Sequence, residues 1–449
     1  MTDWSRLISH KRLGRPADEA GREPGRAPFE IDLDRITFSE AFRALQGKTQ
    51  VHGLLGAPRA RDRLTHSLEV SRVARTLGMR AGQRLAHDRR ARELGTPPSP
   101  EDLGHLCAAA AAAHDFGTPP FAHVGEQAIS DFFRHHPTGL SVAADVAAPV
   151  KAEIQAFEGN AQGFRDLARL QGWRRHGGLN LSCAVLAAHA KYPYRADAPD
   201  DTRLKARKYG HFAEDARLFE EVARETGLVQ RGPGVWGRHP AAHLVEAADD
   251  ICYSIVDLED AARLGVLPQD EAEEMMISVA GDPGSDFADL EHPADRLACL
   301  RSKAISRLID GTVDAFLNDL DPILAGDHAG DLAERGPHAN AMRRIQAISR
   351  DRIYRCEART KKDLRASAAI ERILEAACRA FLERRDHGTS ITVRNDRIVK
   401  LVPNGAATQP GDTARWLRVV LDWLASRTDD EAFEIAAMID AGGRPARAA

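Results

Sequence analysis

A His-Asp doublet, His114-Asp115, is the first candidate for chemistry in this sequence. It follows an apolar, alanine-rich run from Leu106 to Ala113, which is typical of a buried helix. An unpaired charge at the end of a buried helix is costly, so the doublet needs a partner. Imidazole and carboxylate together suit divalent transition metals, so a metal ion is one candidate partner. A structural cap or a salt bridge is the alternative for the doublet taken alone.

Two further segments carry residues of the same chemical types. His66 lies near the start of an amphipathic pattern at residues 63–70. Asp249, Tyr253 and Asp257 are spaced four residues apart, so a helix would place all three on one face. Acid, phenol and acid are unusual on a helix otherwise rich in Ala, Ile and Val. A solvated face with an aromatic ring packed over it remains the alternative.

A second kind of pair stands shortly after the doublet. His123 and Glu126 are three residues apart, so on a helix the carboxylate can orient the imidazole. That arrangement of base and orienting acid is the one general acid–base catalysis uses. A surface ion pair is the alternative.

The elements that must position these residues are predicted to be helices. Hydrophobic residues make up 43% and charged residues 29% of the 449 residues, enough to bury a large core. Apolar residues recur at three- and four-residue spacing, whereas strand-like alternation is scarce. The fold class is therefore all-α, with at most one small β-hairpin, expected at 391–393 and 397–399. We expect a mobile segment at 1–30, a catalytic domain at 31–265, a helical C-terminal region at 266–440 packed on the core, and a tail at 441–449.

Composition also excludes several classes of protein. No stretch approaches the roughly 20 apolar residues of a membrane helix, and residues 1–12 lack the apolar core of a signal peptide, so we expect a cytoplasmic protein. The six cysteines form no C-x-x-C pair, which argues against a zinc ribbon or a disulfide framework. A net charge of −4 provides no global basic field for nucleic acid.

The candidate residues, taken in order, resemble the H…HD…D metal-ligand set of the HD-domain phosphohydrolases. The flanking sequences resemble the deoxyguanosinetriphosphate triphosphohydrolase family of that superfamily in particular. The segments that carry this resemblance run in the same order over residues 34–251: Asp34–Ser39, Phe42–Val51, Arg63–Val70, His114–Gly117, Pro119–Glu126, Phe157–Gly163, Lys191–Pro193 and Glu246–Ile251.

The resemblance implies an HD-domain multi-helix bundle that cuts a deoxynucleoside triphosphate into deoxynucleoside and inorganic triphosphate. It implies one divalent ion per site, Mn²⁺ or Mg²⁺ first and Fe²⁺, Co²⁺ or Zn²⁺ as alternatives, with ligands His66, His114, Asp115 and Asp249. His123 would act at the scissile bond and Glu126 would tune it. Substrate contacts are expected from Gln50, Arg63, Asn160, Lys191, Tyr253 and Asp257. The family also implies a homo-oligomer.

Two other functions are kept as alternatives. An HD phosphohydrolase acting on other nucleotides would share the metal set but should lack both the Tyr253 and Asp257 stripe and the His123–Glu126 pair. A regulatory scaffold that binds nucleotides or single-stranded nucleic acid is the second, although all four ligand positions are intact here. The preferred base, the native metal, the oligomer order and activation by a second nucleotide are not determined by the sequence.

Overall fold

The structure is a computed structural model, and it is built almost entirely of helices. It describes residues 3–15, 25–49, 61–172, 177–198, 208–353, 357–388, 390–403, 405, 409 and 411–441. One two-stranded antiparallel sheet accompanies the helices of the described residues, formed by β1 (Gln230–Gly232) and β2 (Val235–Trp236). The predicted all-α class with at most one small hairpin is confirmed.

Twenty-one α-helices lie within the described residues. The first ten are α1 (Trp4–Leu7), α2 (Pro28–Thr37), α3 (Glu40–Ala44), α4 (Arg63–Leu85), α5 (Arg89–Glu93), α6 (Pro100–Ala112), α7 (His123–His135), α8 (Pro137–Ala144), α9 (Ala148–Gln155) and α10 (Gly159–Arg165). The others are α11 (Cys183–His189), α12 (Ala216–Glu225), α13 (Pro240–Arg263), α14 (Gln269–Ala280), α15 (Pro293–Asn318), α16 (Leu320–Leu324), α17 (Ala339–Ile348), α18 (Glu357–His387), α19 (Val393–Leu401), α20 (Thr413–Ala425) and α21 (Asp429–Ala441).

Two hydrophobic cores organise these helices. The first core joins α1–α6 to α11–α17 and contains the alanine-rich run of α6. The second core packs α7–α9 against α18–α21. The chain passes from the first core to the second between α6 and α7, so residues 113–122 lie at the junction.

Close packing of α4 on α6 fixes the first half of the site. The Asp62 side chain accepts from the Thr65 amide and begins α4, and Ser99 caps α6 in the same way. The two helices approach so closely at Gly78 that a Cβ there would lie 2.6 Å from the carbonyl oxygen of Leu103. A larger residue would therefore force the helices apart.

Helix α13 supplies the third wall of the site. Pro240 occupies its first turn, where the missing amide hydrogen costs nothing, and the His239 side chain caps the Ala241 amide. The helix is buried along most of its length and packs on α4 and α6. Asp249, Tyr253 and Asp257 lie on this helix with the spacing that the sequence predicted.

The structure corrects two local expectations. The hairpin predicted at 391–399 is wrong, because Thr392 caps helix α19 by accepting from the Asn395 amide. The stretch has β-branched residues, but the cap residue decides its conformation. Residues 3–15 also differ from the mobile segment expected at 1–30, since Trp4 is buried and its indole donates to the Ala91 carbonyl at 2.8 Å. The domain boundaries remain predictions.

In the described part of the chain, no helix is both long enough and apolar enough to cross a membrane.

Candidate active site

Three predicted metal ligands converge from three different helical segments. His66 is on α4, His114 directly follows α6 and Asp249 is on α13. One ligand atom from each lies within 4.8 Å of the other two. His66 Nε2 is 2.9 Å and His114 Nε2 is 3.5 Å from the same carboxylate oxygen, Oδ1 of Asp249. No other such group of three is found among the described residues.

The donor atoms of this cluster fit a cation. His114 Nδ1 donates to the Ala111 carbonyl at 2.7 Å, which turns Nε2 toward the cluster. Nε2 lies 3.5 Å from a carboxylate oxygen of Asp249 and 3.5 Å from one of Asp115. Asp115 Oδ2 is buried without a hydrogen-bond partner in the described residues. In the deprotonated form that binds metal, these donors would direct their lone pairs at one cation.

Nearby positive charge keeps both carboxylates ionised. Burial raises the pKa of Asp115, but the Arg63 guanidinium, which contacts its Oδ1, and the two imidazoles lower that pKa below its usual value. Burial also acts to raise the pKa of Asp249. The effect of His114 and His66 is larger than that of burial, so the pKa of Asp249 lies below its usual value. Ionised carboxylates are the form that binds metal.

A cavity of about 260 Å³ opens beside this cluster. The described residues that line it bring together most of the predicted site: Arg63, His114, Asp115, His123, Glu126, Asn160, Lys191 and Asp249. The volume is small for a nucleotide-sized ligand, since pockets for ligands of that size usually span roughly 300–1,000 Å³. The cavity therefore has room for only part of a ligand of that size.

The His123–Glu126 pair lies on the first turn of α7, as predicted. His123 Nδ1 donates to Glu126 Oε2 at 2.8 Å, and Glu126 Oε1 accepts from the Gly159 amide at 2.8 Å. Burial raises the pKa of Glu126, but His123 and the Lys208 ammonium lower it below its usual value. The His123 side chain is 85% exposed and that of Glu126 is 12% exposed. A fixed carboxylate therefore holds an imidazole that a substrate can reach.

Gly159 is required for this contact. A Cβ at position 159 would lie 2.7 Å from Glu126 Oε1. The glycine of the 157–163 segment thus lets the backbone approach the carboxylate that orients His123.

Two lysines at the cavity are held by carboxylates. Lys191 Nζ is 3.0 Å from Glu246, and Lys208 Nζ is 2.6 Å from Glu158. Burial lowers the pKa of both lysines, and the carboxylates raise it above the ordinary value, so both are charged. Asn160 Nδ2 donates to the same Glu158 at 2.6 Å.

Sequence reasoning missed His189, the last residue of α11. It lines the cavity and is 6% exposed. Burial lowers the pKa of His189 to about 4, so the ring is neutral. The signal that could have found it is its place two residues before the Lys191–Pro193 segment, which resembles the family. Glu158 and Glu246 were missed as well, since only their contacts reveal them.

Two predicted substrate contacts, Tyr253 and Asp257, are not gathered with the others. Tyr253 is 36% exposed and Asp257 is buried, and neither is among the described residues that line the cavity. Gln50 lies outside the described residues.

Comparison with known proteins identifies the family. Residues 63–170 match the HD domain. A deoxyguanosinetriphosphate triphosphohydrolase-like protein of Pseudomonas aeruginosa (strain PAO1) is 37% identical over 97% of this chain and 98% of its own length. The chain belongs to the deoxyguanosinetriphosphate triphosphohydrolase-like family. A protein of the same name from Synechocystis is 40% identical over 78% of this chain and 80% of its own length.

The triphosphohydrolase-like family also includes more distant relatives. A deoxyguanosinetriphosphate triphosphohydrolase of Salmonella paratyphi A is 29% identical over 66% of each chain. The HD match begins at Arg63 and contains His66, the His114-Asp115 doublet and the His123–Glu126 pair, whereas Asp249 comes from α13 beyond it. The family assignment makes the chain a hydrolase of the HD phosphohydrolase group.

Removal of one side chain from the group of three candidate ligands should abolish metal retention. We expect the His66→Ala and Asp249→Ala proteins to purify without the divalent ion that the wild type holds, because each loses a donor atom from the cluster. Metal content per chain, measured by elemental analysis after dialysis, checks this. Asp250→Asn is the matched control, since it changes the next carboxylate on α13 outside the group of three. Stoichiometric metal in the Asp249→Ala protein would contradict the assignment.

Proposed function

We propose that this protein is a metal-dependent deoxynucleoside triphosphate triphosphohydrolase, which releases deoxynucleoside and inorganic triphosphate. The observation that carries the proposal is one cavity lined by His114, Asp249 and the His123–Glu126 pair, with His66 Nε2 2.9 Å from Asp249 Oδ1. The family supports the nucleotide substrate. The native metal, the homo-oligomer and the cytoplasmic location remain predictions.

The proposed reaction needs an activated water and a phosphoryl group relieved of charge. A divalent ion, Mn²⁺ or Mg²⁺ first, held by His66, His114, Asp115 and Asp249 would lower the pKa of its bound water and polarise a phosphate oxygen. Four protein ligands would leave room on the ion for water and substrate, as catalytic sites require. Arg63 holds Asp115 in place and keeps it ionised.

His123 is the proton-transfer group in this proposal. Water adds to the α-phosphorus, the bond from phosphorus to the 5′ oxygen breaks, and that oxygen must take up a proton. An exposed imidazole fixed by a buried carboxylate can act there as acid or base, and Glu126 stabilises its charged form.

Cationic side chains along the cavity would bind the triphosphate. Its roughly four negative charges need several cations and donors. Arg63, Lys191 and Lys208 are charged and line the cavity, and Asn160 lines it as well. Glu246 and Glu158 hold the two lysines at fixed positions before the substrate arrives.

Sugar recognition is proposed for the face of α13 beyond Asp249. Tyr253 and Asp257 follow Asp249 by one and two turns, so a substrate whose α-phosphorus lies at Asp249 could extend its sugar toward them. A ring packed on the 2′ carbon would exclude a 2′ hydroxyl, and a carboxylate would accept from the 3′ hydroxyl. Gln50 would complete this contact.

The product of the reaction tests the proposal directly. Incubation of the protein with each of the four dNTPs and Mn²⁺ or Mg²⁺ should yield deoxynucleoside and inorganic triphosphate in equal amounts. Separation of the products by ion-exchange chromatography distinguishes triphosphate from diphosphate and monophosphate. Release of diphosphate or of single phosphates would favour another HD phosphohydrolase. Absence of turnover together with tight single-stranded DNA binding would favour a regulatory scaffold.

Truncation of His123 should remove most of the catalysis and leave the metal in place. We expect His123→Ala to retain the fold and the metal but to lose roughly 10²- to 10⁴-fold in kcat, the usual contribution of a general acid–base group. His135→Ala, at the exposed end of the same helix, is the control and should turn over like the wild type. Unchanged turnover in His123→Ala would remove it from the mechanism.

Truncation of the sugar contacts should change substrate selectivity. Tyr253→Ala should admit GTP and lower kcat with dGTP, because placement of the reacting centre loosens. Asp257→Ala should weaken hydrolysis of dGTP but leave that of 2′,3′-dideoxy-GTP nearly unaffected. Rates with dGTP, GTP and the dideoxy analogue check both. If Tyr253→Ala rejects GTP as strongly as the wild type does, discrimination lies elsewhere, and Gln50 is the next residue to test.

A further inference from the structure

The turn that leads into His123 has an unfavourable backbone conformation. Phe121 has φ 65° and Ala122 has φ 56°, both in the left-handed region that residues with a Cβ rarely adopt. Ala122 is also the residue before α7, and it provides no side-chain cap. Such a turn persists when the surrounding structure holds it, and strained turns are common at catalytic sites. The direction in which His123 leaves the turn therefore depends on what holds Phe121 and Ala122.

Asp429, at the start of α21, holds this turn. Its Oδ1 accepts from the Phe121 amide at 2.8 Å. Its Oδ2 accepts from the Thr49 hydroxyl at 2.7 Å and from the Thr49 amide at 3.3 Å. The Phe121 ring also contacts the Phe433 ring of α21, with centroids 4.7 Å apart. One carboxylate thus ties the catalytic turn to both the C-terminal helix and the segment before α4.

Lys48 holds the other end of the same turn. Its buried ammonium donates to the Thr118 carbonyl at 2.6 Å and to the Ala425 carbonyl, at the end of α20, at 2.7 Å. The turn is therefore fixed at Thr118 by a lysine and at Phe121 by an aspartate, and both ties run to the C-terminal helices.

The start of α21 does not need the Asp429 side chain. Thr428 caps the helix, because its hydroxyl accepts from the Glu431 amide at 3.2 Å and Glu431 accepts from the Thr428 amide at 2.8 Å. A helix that already has a capping box leaves the next carboxylate available for another contact. Asp429 is 4% exposed, whereas its neighbour Asp430 is exposed, so the two acids on one helix turn have different environments.

We propose that Asp429 is a positioning residue for catalysis: by holding the Phe121-Ala122 turn, it sets where His123 stands over the cavity. The C-terminal helical region is then part of the active site's support, although none of the described residues of α21 lines the cavity. This proposal rests on the role of His123 in the proposed function.

Kinetics of Asp429 variants test the proposal. We expect Asp429→Ala to lower kcat for a dNTP by roughly tenfold to a hundredfold, since a small misplacement of a reacting group is costly. KM and metal content should stay within about twofold of the wild type, because Asp429 is not among the groups proposed to bind phosphate or metal. Asp429→Asn keeps one acceptor oxygen, so its kcat should lie between that of Asp429→Ala and that of the wild type. Asp430→Asn removes a charge from the same helix turn and should behave as the wild type.

A double-mutant cycle separates positioning from general damage to the fold. If Asp429 acts through His123, adding Asp429→Ala to His123→Ala should lower kcat by less than about twofold further. Losses that multiply, or an equal loss in Asp430→Asn, would overturn the proposal.

Hydrogen exchange gives a measurement that does not depend on activity. The Phe121 amide should exchange faster in Asp429→Ala and at the wild-type rate in Asp430→Asn, with circular dichroism confirming that both proteins are folded. Full activity of His123→Ala would refute the proposed role of His123, and the exchange rate would still show whether Asp429 holds the turn. Unchanged exchange at Phe121 would overturn the contact itself.

Discussion

Convergence of two imidazoles and two carboxylates where α4, α6 and α13 meet is the constraint on which the site depends. The side chains of His66, His114 and Asp115 are at most 14% exposed and that of Asp249 is 33% exposed, so an unpaired charge among them is costly. Arg63 balances one carboxylate. In the proposed function, a divalent cation would balance the rest, so the packing of three helices would bring its ligands together. Small residues along α6 make that packing close enough for the donors to meet.

The residues of the proposed active site lie on helices of two different hydrophobic cores. The ligand cluster belongs to the core of α4, α6 and α13, whereas the His123–Glu126 pair begins α7 in the core shared with α18–α21. The distance between the group of candidate metal ligands and the His123 imidazole is therefore set by how the two cores pack together, not by any one helix. The turn at 118–122 spans that junction, which explains why long-range contacts from Lys48 and Asp429 converge on it.

Local patterns in the sequence predicted the helical class, the order of the ligands and the pairing of His123 with Glu126, because each depends on spacing along one helix or on a recognisable segment. They failed at 391–399, where β-branched residues favoured strands and a Thr392 cap produced a helix. They also missed His189, Glu246 and Asp429. Glu246 and Asp429 contact residues distant in the chain, such as Phe121, 308 positions from Asp429, and spacing contains no record of such contacts.

The charged side chains along one side of the cavity contact one another in sequence, from Glu158 through Lys208 to Glu126 and His123. Lys208 Nζ lies 2.6 Å from Glu158 and 3.9 Å from Glu126, the carboxylate that orients His123. Burial and the nearby Glu126 raise the pKa of Glu158. Of the two carboxylates, Glu158 is therefore the one that takes up a proton more readily when an anion binds nearby. A triphosphate that binds Lys208 would then compete with Glu158 and leave the stronger acid Glu126 on His123. In the proposed function, Lys208 would therefore bind phosphate while its Nζ lies 3.9 Å from the carboxylate that orients His123.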